Sequence, residues 1–230
     1  MLGGILHAFE GAFSLIVSFN PDIYEIIGLS LAVTTLGTVI AALIGLPIGL
    51  VLSCRTFFGK KLLENIITTF MGLPPVVVGL IVYLFLSSNG PFGSMKLLYT
   101  PTAMVIAQII IASPIIAGLT MAAVKLKYAP IMETCKGLGL GKAKTVFLLF
   151  YECRYALVAA LLAGYGRAMS EVGAVNLVGG NILHSTRVMT TAIMLETSQG
   201  NFSDALALGI VLLSISFIIN WASHRMQREP

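Results

Sequence analysis

Residues 30–53 read SLAVTTLGTVIAALIGLPIGLVLS, a stretch without a single charged side chain. About 20 predominantly apolar residues suffice for a helix to cross the hydrocarbon core of a bilayer, and this run extends back to residue 26. The whole chain has the same character. Its 230 residues are 57% hydrophobic and 10% charged, with a mean hydropathy of +0.94, outside the range of ordinary soluble domains. The sequence therefore predicts an all-α integral membrane protein, a polytopic helical bundle.

Four runs are apolar and long enough to span: 26–53, 66–86, 103–124 and 205–223. A fifth, 155–178, contains Arg167 and Glu171 but is otherwise rich in Ala, Leu, Gly and Val. The expected count is about five spans. Eleven of the fourteen Lys and Arg fall on one side of this map: Arg55, Lys60 and Lys61; Lys125, Lys127, Lys136, Lys142, Lys144 and Arg154; Arg225 and Arg228. Only Lys96 and Arg187 fall opposite. The positive-inside rule then places the N-terminus outside and the C-terminus in the cytoplasm. The net charge of +4 is a topology signal and forms no basic face for nucleic acid. Cys54, Cys135 and Cys153 lie on or near the reducing side and are expected to be plain thiols.

Residues 1–22 lack cations, and no basic region precedes an apolar core as in a cleavable signal. They are expected to form an N-terminal interfacial segment, with a sixth span as the alternative, ahead of a transmembrane domain at 23–226. Pro47, Pro74-Pro75 and Pro114 lie in or beside spans and predict kinks. Gly28, Gly37, Ala41, Ala42, Gly45 and Gly49 recur at three- and four-residue steps and suit close helix packing.

Two features go beyond a generic bundle. An isolated charge at mid-bilayer costs about 2.5–3.5 kcal/mol, yet GYGRAMSEVGAV (164–175) carries two. Arg167 and Glu171 are four apart, so one helix face would pair them, with Ser170 and Asn176 adding polar groups nearby. Either the pair fixes packing, or Arg167 faces a pathway and attracts an anion while Glu171 limits its affinity. The second feature is a cytoplasmic connection, 125–154, longer than is usual between packed helices. It predicts a helix from about Ala129, a Gly-rich turn, and a helix from about Lys142, lying along the membrane surface as a docking hairpin.

Within that connection, Glu133-Thr134-Cys135, Lys136-Gly137-Leu138 and Gly139 follow the frame Glu-Ala-Ala, three residues, Gly. The chain resembles the membrane subunits of type I ATP-binding-cassette importers, which carry that frame in their coupling loop. It departs from them in Thr134-Cys135 and in Tyr151-Glu152, where the pattern has Leu-Pro. Residues 30–53 and FFGKKLLENIITTFMGLPPVVVGLIVYLFL (57–86) resemble the molybdate, tungstate and sulfate permeases of that class. Tyr151-Glu152-Cys153-Arg154-Tyr155 and GRAMSEVGAVNLVGGNI (166–182) are most similar to the tungstate-specific branch.

The resemblance implies a multi-pass permease of a prokaryotic plasma or inner membrane. Two copies would form one pore, nucleotide-binding ATPase subunits would sit beneath it, and an external binding protein would deliver the oxyanion. Residues Glu133 to Gly139 would couple to the ATPase. The chain has no Gly-x-x-x-x-Gly-Lys-[Ser/Thr] phosphate loop, so ATP and Mg would be used by the partner, and the chain would be a transport subunit without catalytic residues or cofactor. His7, His184 and His224 are scattered and show no metal-ligand spacing, which argues against a membrane-embedded enzyme. A molybdate, sulfate or phosphate permease, or a stand-alone channel or ion-coupled carrier built on Arg167 and Glu171, are the alternatives.

Overall fold

The computed structural model describes residues 2–18 and 20–227. Met1, Phe19 and Arg228 lie outside the described residues, as do the side chains of His7, Lys142 and His224. The described chain is helical: α1 Leu2–Val17, α2 Pro21–Cys54, α3 Lys60–Met71, α4 Pro75–Leu86, α5 Pro101–Gly137, α6 Lys142–Met169, α7 Gly173–Gly179, α8 Met189–Gln199 and α9 Phe202–Gln227.

The opening stretch lies inside α2. Asn20 starts this helix by accepting from the N–H groups of Asp22 and Ile23, and Pro21 fills the first turn, where no donor is needed. Small residues on α2 then meet α5. A Cβ on Gly37 would stand 2.9 Å from Gln108 Oε1, one on Gly45 2.8 Å from the Ser113 carbonyl, and one on Gly49 2.6 Å from that of Ala117. Position rises along both helices together, so α2 and α5 run parallel.

Parallel neighbours require the chain to return across the bundle between them. That crossing is made by α3 and α4, which bend by 101° at residues 72–74. The straight span expected over 66–86 is therefore a broken one. Pro75 opens α4 and excludes the preceding residues from helical geometry, whereas Pro47 and Pro114 are absorbed inside α2 and α5. With the bent pair counted as one crossing, the described helices give five candidate spans.

Two other expected boundaries change. The span at 155–178 is interrupted: α6 ends at Met169, and α7 begins at Gly173. The long loop is almost entirely helix, because α5 runs unbroken from its span to Gly137 and α6 starts at Lys142, leaving four residues between them. The expected hairpin is made of the last turns of α5, with Pro130 inside them, and the first turns of α6, both continuous with the flanking spans. Helix α8 forms in a segment where no apolar run announces it.

Cation-bearing connections gather at one end. Lys125 pairs with Glu64 at 2.9 Å, Tyr128 donates to the Cys54 carbonyl at 2.9 Å, and Lys127 donates to the Glu152 carbonyl at 2.7 Å. This end is cytoplasmic by the charge rule. Buried Val124, Leu149, Cys153 and Leu157 pack between these contacts. Cys54, Cys135 and Cys153 are free thiols. At the N-terminus α1 packs against α9 through Ala12, Leu15 and Ile16.

Candidate functional site

The tip joining α5 to α6 holds the frame residues. Gly139 has φ of +64°, a left-handed conformation that side chains resist. Its N–H donates to Lys136 and that of Leu140 to Cys135, at 3.1 and 2.9 Å. These two bonds form a Schellman closure, which satisfies the last carbonyls of α5 from within the turn. Cys135 is buried and anchors the tip, while the Thr134 hydroxyl donates to the Pro130 carbonyl at 3.0 Å. Glu133, Gly137 and Leu138 face outward; Leu138 is 68% exposed. A Cβ on Gly137 would meet nothing within 4 Å, so the chain's own packing does not call for glycine there.

The second candidate site is the interruption at 170–172. Arg167 Nη1 and Glu171 Oε2 pair at 3.0 Å, with side-chain exposures of 36% and 5%. They pair across the end of α6, where the sequence reading placed them on one continuous helix. Glu171 Oε1 also accepts the Ala174 N–H at 3.0 Å and so caps α7, and its backbone carbonyl accepts from the Thr190 hydroxyl at 2.8 Å. Ser170 is exposed and donates back to the Arg167 carbonyl at 3.1 Å. Asn176 lies farther along α7, half-buried, and its backbone closes that short helix.

Three residues that the sequence reading passed over hold this interruption in place. Gln108 of α5 donates to the Ala168 carbonyl at the end of α6, at 3.4 Å. Ser30 of α2 accepts the Met189 N–H at 2.7 Å, and Thr190 reaches Glu171. Only Gln108 offered a sequence signal, as a lone amide in an apolar run. These groups surround a cavity of about 10 Å³, into which Ser30, Thr34 and Gln108 face with Glu171. That volume admits about one water molecule. Gln108 lies about 10 Å along α5 from its outer end, at 1.5 Å per residue.

The fold also gathers groups that looked scattered. His184, at φ of +59°, brings Nδ1 to 2.7 Å from Glu25 Oε2, and Asp22 stands beside them. Potential ligand atoms of the three lie within 4.8 Å of one another, a proximity that spacing along the sequence does not show. All three residues are exposed. The Glu25 hydrogen bond, reinforced by its charge, raises the His184 pKa above the ordinary imidazole value.

Residues 45–229 match the family model described as binding-protein-dependent transport system inner membrane component. The chain is 43% identical over 225 residues to the tungstate uptake system permease protein TupB of Peptoclostridium acidaminophilum, covering 98% of this chain and 99% of that protein. It is 41% identical to a probable anion ABC transporter permease protein of Haloferax volcanii, covering 90% and 91%. Among solved structures, a bacterial alginate ABC transporter in complex with alginate pentasaccharide-bound periplasmic protein superposes with a TM-score of 0.71. It is 18% identical, with 99% of this chain and 88% of that one covered. An amino acid ABC transporter crystallised with histidines superposes with a TM-score of 0.69 at 18% identity, covering 93% and 96%.

Proposed function

Because the chain belongs to the binding-protein-dependent transport system inner membrane components, we propose that it is the permease subunit of an importer whose cargo is tungstate. The family makes it a multi-pass transport component rather than an enzyme. The carrying observation is the near full-length 43% identity to a tungstate uptake permease. In this reading two copies form the pore, an ATPase using ATP and Mg docks below, and an external binding protein delivers the anion.

Chemically, the tip suits docking. Exposed Glu133 and Leu138 offer one charged and one apolar contact on a turn closed by its own hydrogen bonds, and Gly137 leaves room for a partner backbone. Arg167 suits transient attraction of a dianion: Glu171 occupies Nη1, and the partly exposed guanidinium keeps its other donors, so attraction stays weak enough for release.

The test is tungstate uptake by vesicles holding this chain with its ATPase and binding protein, with molybdate and sulfate as competitors. ATP-dependent uptake that molybdate and sulfate leave unchanged is expected. Equal competition by either would overturn the anion assignment, and uptake indifferent to ATP would overturn the importer. Glu133→Lys is expected to insert normally but to capture less ATPase in a pull-down; normal capture would remove Glu133 from the docking surface.

A further inference from the structure

We propose that the cleft between α5, α6 and the cytoplasmic end of α9 binds one anionic phospholipid of the inner leaflet. The cleft measures about 480 Å³ and is graded along its length. Lys127, Glu152, Tyr155 and Asn220 line it at the cytoplasmic end, and Leu119, Ala159, Leu162 and Ala163 line it toward the membrane centre. Leu119 to Lys127 on α5, and Tyr155 to Ala163 on α6, each cover about 12 Å at 1.5 Å per residue. Head-to-tail polarity therefore runs along the membrane normal in the same sense as a lipid of that leaflet.

The polar end sits at headgroup level. Arg154 lies over the rings of Tyr151 and Tyr155, at 4.0 and 4.3 Å, and Arg225 lies 5.3 Å from the Trp221 ring. Aromatic and basic side chains gather in this way at a bilayer interface. Lys127 spends one of its three N–H bonds on the Glu152 carbonyl and keeps two for a phosphate. Asn220 is tied to the Ser216 carbonyl by one amide hydrogen and retains the other. Lys127 in the cleft and Arg154, whose Nη2 donates to the Tyr155 hydroxyl at 3.2 Å, outweigh the Glu152 carboxylate, which selects an anionic headgroup over a zwitterionic one. A free oxyanion would fill only the polar end and leave the alanine-lined half empty.

The experiment reconstitutes the full chain with its ATPase in vesicles of phosphatidylcholine with or without phosphatidylglycerol. Native mass spectrometry after gentle extraction then reads the lipid retained, on samples that elute as folded complexes. Wild type is expected to keep phosphatidylglycerol in preference to phosphatidylcholine. Lys127→Gln is expected to retain about fivefold less, with Lys127→Arg restoring it. Ala159→Phe, which fills the apolar half without touching a charge, is expected to lose the lipid too. Equal retention of phosphatidylcholine, full retention by Ala159→Phe, or failure of Lys127→Arg to rescue overturns the proposal. So does displacement by excess inorganic phosphate, which would assign the site to a soluble anion. Disulfide crosslinking of Ala159→Cys between two copies would give the face to a second subunit and likewise overturn it.

Discussion

The two interruptions flanking α6 differ in how much of the rest of the fold holds them. At 138–141 the chain turns on its own backbone: Gly139 takes the left-handed conformation, and two local hydrogen bonds close the helix end. At 170–172 local bonds also close the turn, from the Ser170 N–H to Gly166 and from the Glu171 N–H to Ala168, but the chain is held from outside as well, by Gln108 of α5, Thr190 of α8 and, through Met189, Ser30 of α2. A partner can therefore grip the tip without disturbing the bundle. The inner interruption can move only if three other helices adjust with it.

The strongest challenge to this contrast is Glu171→Ala. It strips Arg167 of its partner and leaves the Ala174 N–H without its acceptor, and a loss of about 2–4 kcal/mol is expected, read as a lower thermal midpoint in detergent. An unchanged midpoint with lost transport would make the pair a pathway element instead of a joint. Exchanging the two charges, Arg167→Glu with Glu171→Arg, is expected to recover more folded protein than either single reversal. Recovery stays partial because arginine cannot accept the Ala174 N–H. Loss equal to that of the single reversals would show that pairing itself contributes little.

At the tip the effects are smaller and separable. Gly139→Ala is expected to cost about 1–2 kcal/mol because of its left-handed backbone. Gly137→Ala is expected to change stability by less than about 0.5 kcal/mol while weakening ATPase capture. Equal capture by Gly137→Ala and wild type would mean that the partner does not approach that position.

Smallest is the pH effect at His184, whose link to Glu25 joins two otherwise separate surface segments. With its folded pKa raised, the pair contributes fully below the unfolded value, about 6.5. Its contribution fades as pH rises through the folded value. A slightly higher midpoint at pH 5.5 than at pH 8.5 is expected, and the difference should vanish in Glu25→Gln. A difference that survives this substitution belongs to another group.

The same contrast explains what the sequence made legible. Apolar runs and the Gly-rich turn depend on neighbours along the chain, so the number of spans and the start of α6 at Lys142 could be read directly. The small-residue series on α2 likewise announced a close helix partner, though not that the partner was α5. Pro74-Pro75 looked like a kink but broke the span by 101°, since two successive prolines remove more helical geometry than the single prolines at 47 and 114. Nothing local marks Met169 as a helix end. Its neighbours Gly166 and Ala168 suit helix continuation as well as termination, and the decision rests on Gln108, Glu171 and Thr190, which meet only after folding. The meeting of His184 with Glu25 is invisible for the same reason, lying 159 residues apart in the chain.

From Gln108 to Gly137 helix α5 measures about 43 Å at 1.5 Å per residue, and α6 returns over a similar length. The pair is fastened at both extremities, by the four-residue turn at one and by the Gln108 bond to Ala168 at the other. Two helices joined at both ends form a frame, and motion at the turn reaches its far corner to the extent that Pro114 and Pro130 inside α5 keep that helix straight. A sideways push of about 4 Å at the turn corresponds to a tilt of about 5° over the helical length. The opposite corner of that frame is where α6 stops and Arg167 sits.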